Sequence, residues 1–176
     1  MTSPLEMLIG DIGQYLPPGW QIPKERRMSL HAQYYSAVAS PELTQNVEVE
    51  LCKFLEHVPL SASRKNDAGI AITDLVENTI VYGDKTIERY VATVFLHIPR
   101  YVFLVGVADN LPLIPDDVLV ADPTTSEALA ALPVHGRGLY IVRMLFDIFS
   151  QVQALDGKGK IVWFGIDMRK ELTHAA

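Results

Sequence analysis

Two short runs hold the residues whose types and spacing point to chemistry. The first is Ala68 to Gly83, A-G-I-A-I-T-D-L-V-E-N-T-I-V-Y-G. Asp74 and Asn78 are four residues apart in it, so on a helix they stack on one side. Ala68, Ala71, Ile72, Leu75, Thr79 and Tyr82 recur at spacings of three and four and make an apolar stripe. At about 100° per residue, Asp74 and Asn78 stand beside that stripe, near Ala71, and not opposite it. A carboxylate and a carboxamide at the margin of a buried face are costly without partners. Either they satisfy each other and nearby backbone, or they line a cleft. The second run is His135-Gly136-Arg137-Gly138-Leu139 at the entrance of an apolar segment. Two glycines there let backbone N–H groups approach a ligand closely, and a helix N-terminus favours an anion, which is a phosphate-binding pattern. Taken singly, each run also suits an ordinary helix, because D-x-x-x-N and G-x-G are short motifs.

The elements that position these runs follow from periodicity. Leu5, Leu8, Ile9, Ile12 and Leu16 suit a short amphipathic helix, ended by Pro17-Pro18-Gly19-Trp20, so residues 1–27 are expected to be an appendage. A strand is expected over 28–39. A helix then starts at Ser40-Pro41-Glu42 and presents Leu43, Val47, Leu51, Phe54, Leu55 and Val58 on one face as far as His57. Cys52 sits in this pattern and is expected in the core. Ser61 to Asp67 reads as a polar loop, and Gly83 as the stop of the helix that bears Asp74. Residues 90–98 and 101–108 form a hairpin around Pro99-Arg100. His97 is a strand-end residue with no other ligand type at metal-site spacing. From Asn110 to His135 periodicity is lost, four prolines punctuate the chain, and a short helix over 126–132 is expected. So irregular a connection often serves as a lid or binding loop. Residues 139–149 read as a deeply buried helix. A second hairpin joins 151–155 to 160–166, with Lys158 and Lys160 as solvated turn residues.

The bulk composition narrows the function classes. A chain of 176 residues with 49% apolar and 20% charged residues suits one globular domain. A net charge of −6 and no Lys/Arg-rich run argue against a nucleic-acid surface. One cysteine allows no internal disulfide. No apolar run reaches the ~18 residues that span a bilayer, and no signal peptide is visible at the N-terminus. A cytoplasmic protein without a membrane partner is the expectation.

Taken in order, D-L-V-E-N-T-I-V-Y-G, an Asp closing the second hairpin strand, a long irregular loop, G-R-G-L-Y-I-V and a final K-x-V-W-F strand resemble the GHKL ATPases, the group of gyrase and the histidine kinases. Within it the chain is most similar to the anti-sigma-factor serine/threonine kinases, over roughly residues 28–168. The resemblance implies an α/β two-layer sandwich, a mixed but mostly antiparallel sheet with helices on one face, and an ATP-binding domain over 28–176. It implies ATP and Mg²⁺ as cofactors. Asp74 would be the general base, Asn78 the Mg²⁺ ligand, and Asp109 the acceptor of the adenine amino group, favouring adenine over guanine. Gly136, Arg137, Gly138 and Leu139 would form the phosphate-holding glycine box. The implied partners are a sigma factor and a small antagonist protein, with a homodimer as a further expectation.

Three departures accompany the resemblance. The family's first glycine box reads D-x-G-x-G, whereas this chain has Asp109-Asn110-Leu111-Pro112-Leu113, with leucines at both glycine positions. Asp74 is one methylene shorter than the usual Glu. Ile161 stands where many relatives carry a hydroxyl residue. These leave two functions open: a protein serine/threonine kinase, or a partner-binding module of the same fold without catalysis.

Overall fold

The computed structural model describes residues 16–82, 90–115, 137–153 and 159–171. Runs rich in Val, Ile, Phe and Tyr form five strands: β1 (His31–Val38), β2 (Tyr90–Ile98), β3 (Val102–Asp109), β4 (Ile148–Gln153) and β5 (Lys160–Asp167). They make one sheet in the order β1-β2-β3-β5-β4. Every pairing among the described strands is antiparallel, so the sheet lacks the parallel component that the expected mixed sheet allowed. Pro99-Arg100 turns β2 into β3: Tyr101 N–H donates to the Ile98 carbonyl at 3.0 Å, and Arg100 takes a positive φ of 59°.

Alternation along the strands gives each face its own core. Phe95, Phe103, Val105, Phe164 and Ile166 face helices α1 (Leu43–Leu55), α2 (Ala62–Tyr82) and α3 (Arg137–Leu145). Val94, Leu96, Leu104 and Trp163 lie on the opposite face, where Leu16, Trp20, Ile22 and Leu30 pack over them. The described part of the first 27 residues therefore docks on its own sheet. A short helical turn, α4 (Met168–Glu171), follows β5. No described helix is long and apolar enough to cross a membrane.

Several expectations shift. Residues 28 and 29 belong to a 3-10 turn (Lys24–Ser29), and β1 begins at His31. The segment expected as a loop over 61–67 is the first part of α2. Ser61 Oγ accepts from the Arg64 backbone N–H at 3.2 Å, an N-cap hidden in a polar run. Cys52 is exposed: it lies 100° round the helix from buried Leu51. Tyr82, the last residue of the apolar stripe, is 56% exposed. The expected helix over 139–149 ends at Leu145; Ile148 and Phe149 belong to β4. Nor is that helix buried all round, since Met144 is 68% exposed. The expected helices over 5–16 and 126–132 and the Gly83 stop lie outside the described residues, Leu16 apart.

Gly106 on β3 faces the Trp163 ring across the sheet. A Cβ built at Gly106 would stand 2.7 Å from Trp163 Cζ3, well inside contact distance. The ring is fully buried and has no room to retreat. Gly106→Ala should therefore lower stability by about 1–3 kcal/mol, the usual range for overpacking. Urea denaturation would show it as a lower midpoint at unchanged slope.

Candidate functional site

Helix α2 brings Asp74, Leu75, Asn78 and Thr79 to one side over successive turns, and two cavities open there. The first, of about 330 Å³, is walled by Leu75, Val107, Leu139 and Val162 and by the segment Leu111–Pro115. Its polar lining is Asn78, Tyr82, Asp109 and Lys160. The second, of about 390 Å³, is lined by Asp74, Glu77, Asn78 and Gly138, with Pro41, Thr44, Ile80 and Val81. Asn78 is common to both, so the pair of cavities forms one cleft along α2.

Asp74 and Asn78 are each half-buried, and neither has a hydrogen-bond partner among the described residues. Of the two arrangements open to them in the sequence, they take the cleft. Burial pushes the Asp74 carboxyl above the usual aspartate value of 3.8, and the neighbouring Glu77 charge pushes it further. The start of α3 lies directly against it. A Cβ at Gly138 would be 3.0 Å from Asp74 Cγ and 3.1 Å from Oδ2, so only glycine fits there without displacing the acid. Gly138 and Leu139 are thus placed at the cleft. Arg137 opens α3, but its side chain and Gly136 lie outside the described positions.

Asp109 closes β3 opposite Lys160 in the β3–β5 ladder. Lys160 Nζ lies 2.9 Å from Oδ1 and 3.1 Å from Oδ2. Thr79 Oγ1 donates to Oδ2 at 3.0 Å, and the Leu111 N–H donates to Oδ1 at 2.9 Å. Both side chains of the pair are only 5% exposed, so Lys160 is no solvated turn residue. Its burial is forced by register: the residue opposite a buried Asp109 must supply the countercharge. Gly159 makes this possible, because a Cβ there would collide with the Asp109 carbonyl oxygen.

Leu111 and Leu113, which replace the two glycines, line the first cavity. Their segment is held from β4. Gln151 Oε1 accepts from the Ile114 N–H at 2.8 Å, and Gln151 Nε2 donates to the Ile114 carbonyl at 2.7 Å. Gln151, Thr79, Glu77 and Lys160 were not singled out in the sequence as site residues. Glu77, three residues from Asp74, and Thr79, in the helical stripe beside Asn78, carried a local signal; Gln151 and Lys160 depend on strand register.

The histidine kinase-like ATPase domain model matches residues 37–166, a span holding every residue of the cleft. The chain belongs to that family. Among solved structures, one component of the SiaB–SiaC complex from Pseudomonas aeruginosa aligns at TM-score 0.55 and 15% identity, covering 80% of this chain and 92% of that one. The RsbU and RsbW domains of a Mycobacterium tuberculosis protein align at TM-score 0.50 and 14% identity, covering 78% of this chain. This chain spans 32% of the length of that protein's chain. At such identities the likeness is one of fold. No curated protein matches the chain in sequence. The ATPase fold implies ATP, and the cleft suits it. The first cavity is apolar and within the size range of small-molecule sites. The second offers the oxygens of Asp74, Glu77 and Asn78, the donor type a hard cation such as Mg²⁺ takes, beside a helix N-terminus. No group of three or more acids, His or Cys among the described residues makes a cation site.

Two outcomes follow from the charges. The folded state binds its proton at Asp74 more tightly than the unfolded chain, because burial and Glu77 raise that carboxyl. That group therefore lowers stability as pH rises above the ordinary value of 3.8 toward its folded value. Asp74→Asn should melt at or above the parent's temperature at pH 7, with the difference vanishing below pH 3.8; thermal scans across pH read this. In contrast, Lys160→Met strands a buried carboxylate and should cost about 3–5 kcal/mol in chemical denaturation.

Proposed function

We propose that the protein is an ATP-dependent serine/threonine kinase of a regulatory switch, acting on a small antagonist protein and binding a sigma factor or similar transcription regulator. The observation that carries this reading is the arrangement along α2. An apolar cavity ending in Asp109 adjoins a second cavity that holds an unpartnered carboxyl, Asp74, against the first turn of α3. The first suits a purine, the second the phosphates. ATP would supply the phosphoryl group, and Mg²⁺ bound at Asn78 would offset its charge.

The chain's own residues have separable tasks. Asn78 orients the phosphates where the two cavities meet. The glycine box of Gly136, Arg137, Gly138 and Leu139 would hold the phosphates, with the backbone N–H groups of Arg137, Gly138 and Leu139 in the first turn of α3. Asp74 accepts the proton of the partner's hydroxyl as that oxygen bonds to phosphorus and ADP departs. A carboxyl raised by burial and by Glu77 is a better base than an exposed aspartate. The fold likeness to a chain solved with a bound partner is consistent with a protein substrate. A partner-binding module without catalysis is the alternative, favoured by the leucines at 111 and 113 in the cavity wall.

Single-turnover phosphoryl transfer to a candidate partner separates the two. Asp74→Asn should abolish transfer with ATP affinity retained, and Asp74→Glu should preserve or raise it, because a misplacement of ~1 Å costs on the order of 10²-fold. Asn78→Ala should keep the fold and lose Mg-ATP binding in calorimetry. Transfer by Asp74→Asn at the parent rate would defeat the kinase mechanism. Partner binding without transfer by either the parent or Asp74→Glu would favour the non-catalytic module.

A further inference from the structure

A lone buried carboxylate at the purine edge discriminates strongly. Adenine gives it an amino donor, whereas guanine offers a carbonyl and leaves the acid unpaired, a penalty that can reach 10⁴-fold or more in sites built this way. Asp109 is not such a carboxylate. A carboxylate has about four acceptor sites, and here four contacts fill them: two from Lys160, one from Thr79 and one from the Leu111 N–H. Lys160 and Asp109 both line the apolar cavity. An ammonium has three N–H donors; two point at Asp109, and the third has no partner among the described residues.

We infer that Lys160 is a specificity-determining residue that makes the cavity accept adenine and guanine nucleotides alike. The inference rests on the nucleotide-binding reading above. With guanine bound, Asp109 keeps all of its donors, so the penalty that would reject guanine is absent, and the guanine carbonyl takes the third Lys160 N–H. With adenine bound, the same N–H serves ring nitrogen N1. The adenine amino group displaces Thr79, whose hydroxyl has the Leu75 carbonyl at 3.2 Å as its alternative acceptor. Guanine thus gains one hydrogen bond and displaces none, adenine gains two and displaces one, each nets about one, and the difference between them should stay within about tenfold. Asp109 alone implied selection for adenine; Lys160 removes its basis.

The test is calorimetry of the full chain with Mg-ADP and Mg-GDP, repeated on Lys160→Met and Lys160→Arg. The expected result is a Kd ratio within about tenfold for the parent and for Lys160→Arg. In Lys160→Met it should rise to on the order of 100-fold or more in favour of ADP, because the acid then depends on the ligand's amino group. Each ratio is internal to one protein, so a general loss of stability does not alter it. If Lys160→Met does not fold, the parent's ratio decides. A parent that prefers ADP by 100-fold or more overturns the inference and leaves the nucleotide reading standing. An unchanged ratio in folded Lys160→Met also overturns it. Absence of binding by both nucleotides to the parent overturns the nucleotide reading and this inference with it.

Discussion

Two opposite charges, buried side by side at the last rung between β3 and β5, constrain the architecture around them. Lys160 and Asp109 are register partners, and each is almost sealed from water. Removing either would leave a charge in an apolar surround, which is far costlier than losing a surface pair. The pair therefore ties together the end of β3, the start of β5, Thr79 on α2 and the Leu111 N–H. Gly159 lets the chain pass close enough to the Asp109 carbonyl for the rung to close. Three elements and the wall of one cavity meet at this point.

The second constraint is steric. α3 approaches α2 so closely that Gly138 rests on Asp74. Arg64, near the start of α2, donates to the Leu145 carbonyl at the other end of α3 at 2.5 Å. A cation at a helix C-terminus also meets its negative end. α3 is thereby pinned at both ends, its first turn on the acid and its last on the guanidinium. The carboxyl that the proposed chemistry needs is held where burial makes it more basic, at some cost to the fold.

What was legible in the sequence was what local periodicity encodes. The five positions of α1 expected inside, Leu43, Val47, Leu51, Phe54 and Leu55, are buried, as are Val58 just beyond it and Ala68, Ala71, Ile72, Leu75 and Thr79 of α2. The β2–β3 hairpin turns at Pro99-Arg100 as expected. The resemblance to the ATPase family rested on such runs, and the family match bears it out. The misreadings share a different cause. Apolar neighbours point Cys52 inward, whereas its angle on the helix turns it out. Polarity marks residues 62–67 as a loop, whereas Ser61 supplies the cap of a helix. The run from Tyr140 to Phe149 is apolar across a helix end and a strand start, and composition cannot tell the two apart. Lys160 was invisible for a deeper reason: its environment is set by a residue 51 positions away.

The two tryptophans sit on the same sheet face in opposite surroundings. Trp163 is fully buried, and its indole N–H has no partner among the described residues. Trp20, in the segment that covers this face, meets Tyr101 edge-on at 5.6 Å and lies 5.0 Å from the Arg169 guanidinium. The molecule thus carries two native optical probes of distinct colour. Trp163 emits from a dry, apolar cage, and Trp20 from a half-solvated seam beside a cation. Because the segment that bears Trp20 also covers Trp163, peeling of the N-terminal cover would wet both rings together while the far-ultraviolet signal of the strands persists, so it can be told from melting of the sheet without any added label.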